Sequence, residues 1–314
     1  MIKSIEIENF MSIKSAKFDL PQLTLLYGNN SSGKSNLIKN ILLVRQADIY
    51  GGKCFNGKYL QIDAENTIYK WANKPWKAKY DFGNNICVSY ELTHKDGKHE
   101  LINYLDSDIA INQFDFIQYL QTEPLFNHRF QYQFLTILDD APRSCCIDIL
   151  DNLRKKRPVI FEDMSAFKGY LRNEDEFYDI MRSSEIILKR MHFFASLLYA
   201  KPGDLIILHH PEVFLHPKYQ ALFGRMIAVL AQKGVQIIVE SHSDHILNAT
   251  FVACKQKVID HKQVMIYNFE LVNDGKKFWS EVTASGIREN GLMATNIPCF
   301  MDQIDKDMTT LLGF

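Results

Sequence analysis

Hydrophobic and polar positions along the chain fall into short, separable patterns. Residues 2–20 alternate, with Ile5, Ile7, Phe10, Ile13, Phe18 and Leu20 set among polar neighbours. That spacing predicts two partly exposed strands with a turn near Met11–Ser12. "QLTLLY" (22–27) is a continuous apolar run, the pattern of a strand buried on both faces. "GNNSSGKSN" follows at once, and then Leu37, Ile38, Ile41, Leu42 and Leu43 recur on helical spacing. "NGKYLQI" (56–62) reads as a turn and then an extended segment. "NICVSYELTHKDGKHELINYL" (85–105) reads as a hairpin turning at "KDGK". From about 112 to 200 the pattern is mostly helical and irregular, with aromatic clusters such as "HRFQYQFL". The basic run "RKKRP" (154–158) inside it reads first as a solvated face and second as a DNA contact.

Order returns after residue 203. "GDLIILHH" is strand-like, and Pro217 suits the first turn of a helix whose apolar face is Ala221, Leu222, Met226, Ile227 and Leu230. "KGVQIIVESHS" is a turn followed by a second buried strand. Strand, helix and strand joined by a short glycine turn make a βαβ unit, which requires parallel strands. "QVMIYNFEL" and "KKFWSEVTA" predict two further strands, and an amphipathic tail closes the chain. The pattern predicts an α/β nucleotide-binding core with a mixed sheet and a helical insertion. Its parts are an N-terminal lobe with the glycine loop and hairpin (1–111), the insertion (112–200) and a C-terminal lobe (201–314).

Composition narrows the class. Of 314 residues, 46% are hydrophobic and 23% charged, which is ordinary for a globular protein. The net charge of −1 gives no global basic field, so any nucleic-acid contact must come from a local patch. Six cysteines without a C-x-x-C pair read as free thiols of a reducing cytosol. "MIKSIEIENF" lacks the apolar core of a signal peptide, and "FFASLLYA" is far too short to span a bilayer. These features lead us to expect a soluble, cytoplasmic protein without a membrane span.

The chemistry lies in two places. Gly28-Asn29-Asn30-Ser31-Ser32-Gly33-Lys34-Ser35 fits G-x-x-x-x-G-K-[ST] at every fixed position, with Asn36 next in the helix. Glycines let the backbone curl so that its N–H groups face phosphate oxygens, and the helix start adds the positive end of its dipole. Lys34 is placed to reach the β- and γ-phosphates, and the Ser35 hydroxyl to coordinate Mg²⁺. The strand before and helix after the loop supply the context that a chance glycine turn lacks. A nucleotide with Mg²⁺ is therefore the expected ligand, which the resemblance below makes ATP. The second place is "LIILHHPEVFLHP" (205–217), where a buried strand ends in His209 and His210.

With these motifs the chain resembles ABC-type ATPases of the RecF/SMC/Rad50 and OLD-like group. It is most like the small predicted ATPases that carry a C-terminal domain of unknown function, DUF3696. Asn9–Phe10, Ser12, Leu23–Thr24, the loop and Arg45–Gln46 carry the likeness at the N-terminus. "AKPGDLIILHHPEVFLHPKYQ" and "IIVESHSDHIL" carry it at 200–250. The resemblance implies that Gly28–Ser35 is a Walker A loop and Leu205–His210 the Walker B strand. It implies that His216–Pro217 faces a dimer partner, and that His242 is the switch histidine that reads the γ-phosphate. Gln61 and Gln46 are two candidates for a Q-loop glutamine.

The departures from that family bear on function. An active ABC-type ATPase ends its Walker B strand with Asp-Glu; here His209 and His210 hold those places. Imidazole brings no negative charge at neutral pH and Mg²⁺ prefers oxygen ligands, so the grip on the metal at Ser35 and His209 should weaken. His210 retains the capacity of a general base. Glu212, two residues on, is the carboxylate expected to substitute. The signature element is also altered: Leu188 and Lys189 occupy its places, with Ser183–Ser184 out of register. Lys189 or Arg190 either supplies charge across an interface or lies on a solvated helix face.

Three functions compete on the sequence. The first is an ATP-binding switch or scaffold with weak or absent hydrolysis, dimeric through its nucleotide face. Its partner would be an effector such as a nuclease in bacterial defence or DNA maintenance. The second is an active ATPase of repair or phage defence with His210 as base and His242 as sensor. The third is a metal-dependent hydrolase or nuclease that uses His209, His210, His216, His242 and His245, although no familiar zinc spacing is present.

Overall fold

A computed structural model describes residues 1–50, 54–57, 60–95, 98–105, 200, 202–213, 215–297 and 303–313. The insertion expected between 112 and 200 lies outside the described residues except for Ala200. The same holds for the basic run 154–158, the signature-side residues Ser183, Ser184, Leu188, Lys189 and Arg190, and the 96–97 turn of the hairpin.

The alternating segments near the N-terminus form one antiparallel sheet. β1 (Ser4–Phe10) and β2 (Ile13–Asp19) are the hairpin turning at Met11–Ser12, and β1 also pairs with β4 (Lys77–Asp81). β5 (Cys87–Lys95) and β6 (Lys98–Leu105) complete the order β2-β1-β4-β5-β6. The continuous apolar runs form a second sheet in the order β10-β9-β3-β8-β7. Its members are β3 (Leu23–Gly28), β7 (Leu205–His209), β8 (Gln236–Glu240), β9 (Val264–Asn273) and β10 (Phe278–Gly286). β7, β8, β3 and β9 run parallel, and β10 is antiparallel at the edge. The expected single mixed sheet is therefore accompanied by a separate antiparallel one. Half-exposed alternating strands cannot join a sheet whose faces are both buried without exposing apolar or burying polar residues.

The second sheet lies between two layers. On one face Leu23, Leu25, Ile206, Leu208, Ile237 and Val239 pack against α2 (Pro217–Gln232) and α3 (Asp244–Lys255). On the other face Leu26, Leu205, Ile207 and Ile238 meet α1 (Lys34–Tyr50) and the antiparallel sheet. Odd and even residues of each strand thus serve different cores, as period-2 alternation requires. Gly224 lets α2 approach α3, since a Cβ there would sit 2.8 Å from that of Ala249. The closing helix, α4 (Gln303–Leu312), leaves Met308, Leu311 and Leu312 exposed. Among the described residues, no helix is long and apolar enough to cross a membrane.

One buried side chain ties the first strands to the parallel sheet. Gln236 Nε2 donates to the carbonyls of Ile2 (2.6 Å) and Leu20 (2.8 Å), and its Oε1 accepts from the Ile2 amide at 3.0 Å. Gln236→Leu fits the same volume but strands three buried backbone groups. At about 1–3 kcal/mol per unsatisfied group, the variant is expected to lose on the order of 3 kcal/mol. The urea midpoint measured by circular dichroism checks this.

Candidate functional site

The glycine loop between β3 and α1 takes its shape from close backbone approach. Gly28 has φ +132°, and a Cβ there would lie 2.1 Å from the Phe269 carbonyl oxygen. Gly33 has φ +100°, and a Cβ there would lie 2.1 Å from Ser280 Oγ and 2.5 Å from Ser12 Oγ. Neither place admits a side chain. The loop is clamped from outside: Ser280 Oγ donates to the Ser32 carbonyl at 2.6 Å, and Asn36 Nδ2 donates to Ser12 Oγ at 2.7 Å. Ser12, in the β1–β2 turn, therefore holds the loop in place. Asn36, expected at the nucleotide, lines the cleft but spends its amide on that clamp. Lys34 Nζ donates to the carbonyls of Gly28 (3.0 Å) and Asn29 (2.8 Å), so the ammonium rests across the loop mouth. Burial lowers its pKa, opposed by Glu240 and Glu212.

The cleft in front of the loop has a volume of about 850 Å³ and reaches the ends of β7 and β8. That size accommodates a nucleotide. Asn30, Ser31, Gly33, Lys34 and Ser35 line it, together with His209, His210 and His242. Gly28, Asn29 and Ser32 form the loop behind this lining.

The buried carboxylate in the cleft is one the sequence reading missed. β7 and β8 pair in parallel with His209 opposite Glu240. Glu240 is 2% exposed, and its Oε1 accepts from Ser35 Oγ at 2.7 Å. Its Oε2 is buried with no hydrogen-bond partner; His209 Nε2 lies 3.3 Å away but outside hydrogen-bond alignment. His210 Nε2 is 3.9 Å from Glu240 Oε1. Adjacent residues of an extended strand face opposite ways. His210, however, has φ +49°, and this left-handed turn brings both imidazoles to the same carboxylate. His242 stacks on His210 with ring centres 5.0 Å apart and planes 7° from parallel.

Electrostatics follow burial. Desolvation pushes the Glu240 carboxyl up, against the Ser35 hydrogen bond and the neighbouring cationic groups. His209 is lowered to about 4 by burial and by His210 beside it, so it is neutral at pH 7. His242 is lowered by burial and then by Lys34 and His210. Lys39, one turn beyond Ser35, also lines the cleft.

Glu212 is placed differently from expectation. Its Oε2 accepts from Ser241 Oγ at 2.9 Å and its Oε1 from the His242 amide at 2.8 Å, with His210 Nδ1 3.4 Å from Oε1. Burial raises its pKa, but the hydrogen bonds from His210, the His242 amide and Ser241 outweigh this and hold it below the ordinary value. Glu212 thus fixes the segment that carries His242, and Glu240 takes the place beside Ser35. The sequence signal for Glu240 was present: it ends the apolar run 237–239 two residues before His242.

The other candidates do not converge. His216 caps α2, its Nδ1 accepting from the Lys218 amide at 3.2 Å. His245 lies on the first turn of α3 beside Asp244, 3.6 Å away. Gln46 is buried and holds the 54–60 segment: Nε2 donates to the Cys54 and Leu60 carbonyls, and Oε1 accepts from the Leu60 amide. Gln61 is exposed and pairs with Asn56 in an isolated bridge. Neither glutamine is among the residues lining the cleft.

Comparison with known proteins agrees with this layout. Residues 188–248 match the family described as "AAA domain, putative AbiEii toxin, Type IV TA system". Among solved structures, an SMC head bound to the C-winged helix domain of ScpA superposes with a TM-score of 0.52 at 13% identity, covering 92% of this chain and 98% of that one. The chain has the ABC/SMC-head type of P-loop ATPase fold. The SMC head domain from Thermotoga maritima gives a TM-score of 0.47 at 17% identity, over 90% of this chain and 98% of that one. A Pyrococcus furiosus Smc head domain with an extended coiled coil, bound to the C-terminal domain of ScpA, gives 0.45 at 12% identity, over 99% and 98%. No curated protein matches the sequence.

Glu212 is a brace between the turn after β7 and the segment that carries His242. Glu212→Gln keeps its shape and removes its charge, so at pH 7 it is expected to cost about 1–2 kcal/mol, the worth of charge-assisted hydrogen bonds. A depressed folded pKa contributes stability above the ordinary 4.5 that is lost as pH falls through the folded value. The gap between wild type and variant therefore narrows below pH 4.5, as urea unfolding at a series of pH values would show.

Proposed function

We propose that the protein is an ATP-binding switch of the ABC/SMC-head type whose hydrolysis is weak. The observation that carries this reading is an intact glycine loop facing a β7 end where both positions are imidazoles. The loop, Lys34 and the α1 N-terminus supply what a triphosphate needs: inward N–H groups, a cation and a dipole. At the ends of β7 and β8, among the described residues, both carboxylates are already engaged. Glu240 is bonded to Ser35, and Glu212 is engaged by Ser241 and the His242 amide.

A divalent cation fits at this place, because Ser35 Oγ and Glu240 Oε1 meet 2.7 Å apart in the cleft in front of the loop. Mg²⁺, when bound, would neutralise charge on the phosphates. Ser35 and Glu240 are the oxygen donors that would hold it.

Binding between two copies would hold them closed without turnover, since differential affinity alone shifts such an equilibrium. His242 is exposed at the cleft and is the residue that would face the γ-phosphate. The SMC head of similar fold is bound to ScpA, and the family matched at 188–248 is described by a toxin–antitoxin system. Both support a partner effector in bacterial defence or DNA maintenance. A second reading, an ATPase with His210 as general base, is favoured by one contact: Glu212 Oε1 lies 3.4 Å from His210 Nδ1, where it would orient the imidazole.

Lys34→Ala is expected to weaken ATP binding by about 10–100-fold, the worth of a charge-assisted contact to phosphate. Calorimetric titration measures it. Phosphate release assayed alongside separates the readings. Slow release unchanged in His210→Ala supports the switch. Fast release lost in His210→Ala supports the ATPase.

A further inference from the structure

We propose that His209, His210 and Glu240 form a binding site for a borderline divalent transition metal of the zinc–cobalt class, with Glu212 as the outer carboxylate that orients His210. One ligand atom from each of the three residues lies within 4.8 Å of the others. Ligands about 2.0–2.2 Å from a tetrahedral zinc ion lie about 3.4 Å apart. The His209 Nε2 to Glu240 Oε2 separation of 3.3 Å already matches that edge, and the His210 Nε2 to Glu240 Oε1 separation of 3.9 Å needs only slight closure.

Three independent features point the same way. Glu240 is 2% exposed, yet Oε2 has no hydrogen-bond partner and is aimed at the imidazoles. Such a buried, unpartnered carboxylate oxygen costs free energy unless a cation meets it. His210 adopts φ +49°, a conformation a non-glycine residue holds only at a cost, and that turn is what places its ring beside that of His209. Finally, Glu212 Oε1 lies 3.4 Å from His210 Nδ1 and is itself fixed by Ser241 and the His242 amide. A carboxylate on the far nitrogen of a ligating histidine sets its tautomer and leaves the near nitrogen to the metal.

The donor set decides the metal. Mg²⁺ takes oxygen ligands in octahedral geometry, and two imidazoles with one carboxylate do not offer that. Imidazole nitrogen with carboxylate oxygen favours zinc and its first-row neighbours over magnesium. Ser35 Oγ, on the same carboxylate, stands where a further ligand would enter. Coupling of this metal to a bound triphosphate rests on the reading under Proposed function; the three-residue site does not.

The test is a titration of nucleotide-free, metal-stripped protein with Co²⁺, read by its visible ligand-field absorption. One Co²⁺ per chain is expected, displaced by Zn²⁺ but not by a large excess of Mg²⁺. Glu240→Gln and His209→Asn are each expected to lose the absorption while retaining the wild-type circular dichroism spectrum. Glu212→Gln is expected to weaken Co²⁺ binding by about 10–100-fold, the usual cost of removing an outer carboxylate. Lys34→Ala is expected to keep the Co²⁺ spectrum while losing ATP, so failure of the nucleotide reading and failure of the metal site are separately visible. Absence of a stoichiometric Co²⁺ spectrum in the wild type overturns the proposal. So does a spectrum unchanged in both folded ligand variants, or displacement by equimolar Mg²⁺.

Discussion

The contact between Ser35 Oγ and Glu240 Oε1 joins the two halves of the site across 205 residues of sequence. It docks the first turn of α1 on the end of β8, and it does so through a carboxylate almost wholly withdrawn from water. A buried carboxylate satisfied on one oxygen alone is an unfinished arrangement. Lys34, Lys39, His209 and His210 are all disposed around that carboxylate. The parallel sheet makes this possible, because β3, β7 and β8 all end on the same edge and deliver their last residues together.

Two carboxylates divide the work at this edge. Glu240 lines the cleft, with Oε2 left without a hydrogen bond. Glu212 faces away from the cleft and holds the segment bearing His242. The difference is one of hydrogen bonding: Glu212 accepts from a hydroxyl and a backbone amide, which keep it ionised, whereas burial pushes Glu240 toward its protonated form. His210 lies between the two, its Nδ1 toward Glu212 and its Nε2 toward Glu240.

The clamp around the glycine loop also comes from distant parts of the chain. Ser12 and Ser280 lie 268 residues apart, yet both touch the space that a Cβ on Gly33 would need. The loop is therefore held by the hairpin on one side and the edge strand on the other.

The local patterns settled a good deal. Period-2 alternation marked the hairpin strands, continuous apolar runs marked β3, β7 and β8, and helical spacing with Pro217 marked α2. The glycine loop was legible because its chemistry is contiguous: eight residues in a row contain the turn, the cation and the hydroxyl. The sequence by itself also placed two histidines at the end of a buried strand. What only the tertiary structure decided was the partner of those histidines. Glu240 is 30 residues from His210 along the chain, and it becomes their neighbour only because parallel pairing sets His209 opposite it. Glu212, near in sequence, is turned away by the bonds it makes to Ser241 and His242. Gln46 and His216, which read as site residues, proved to hold a loop and cap a helix. Sequence distance shows which groups are available, whereas strand register and the turn at His210 decide which of them share one cavity.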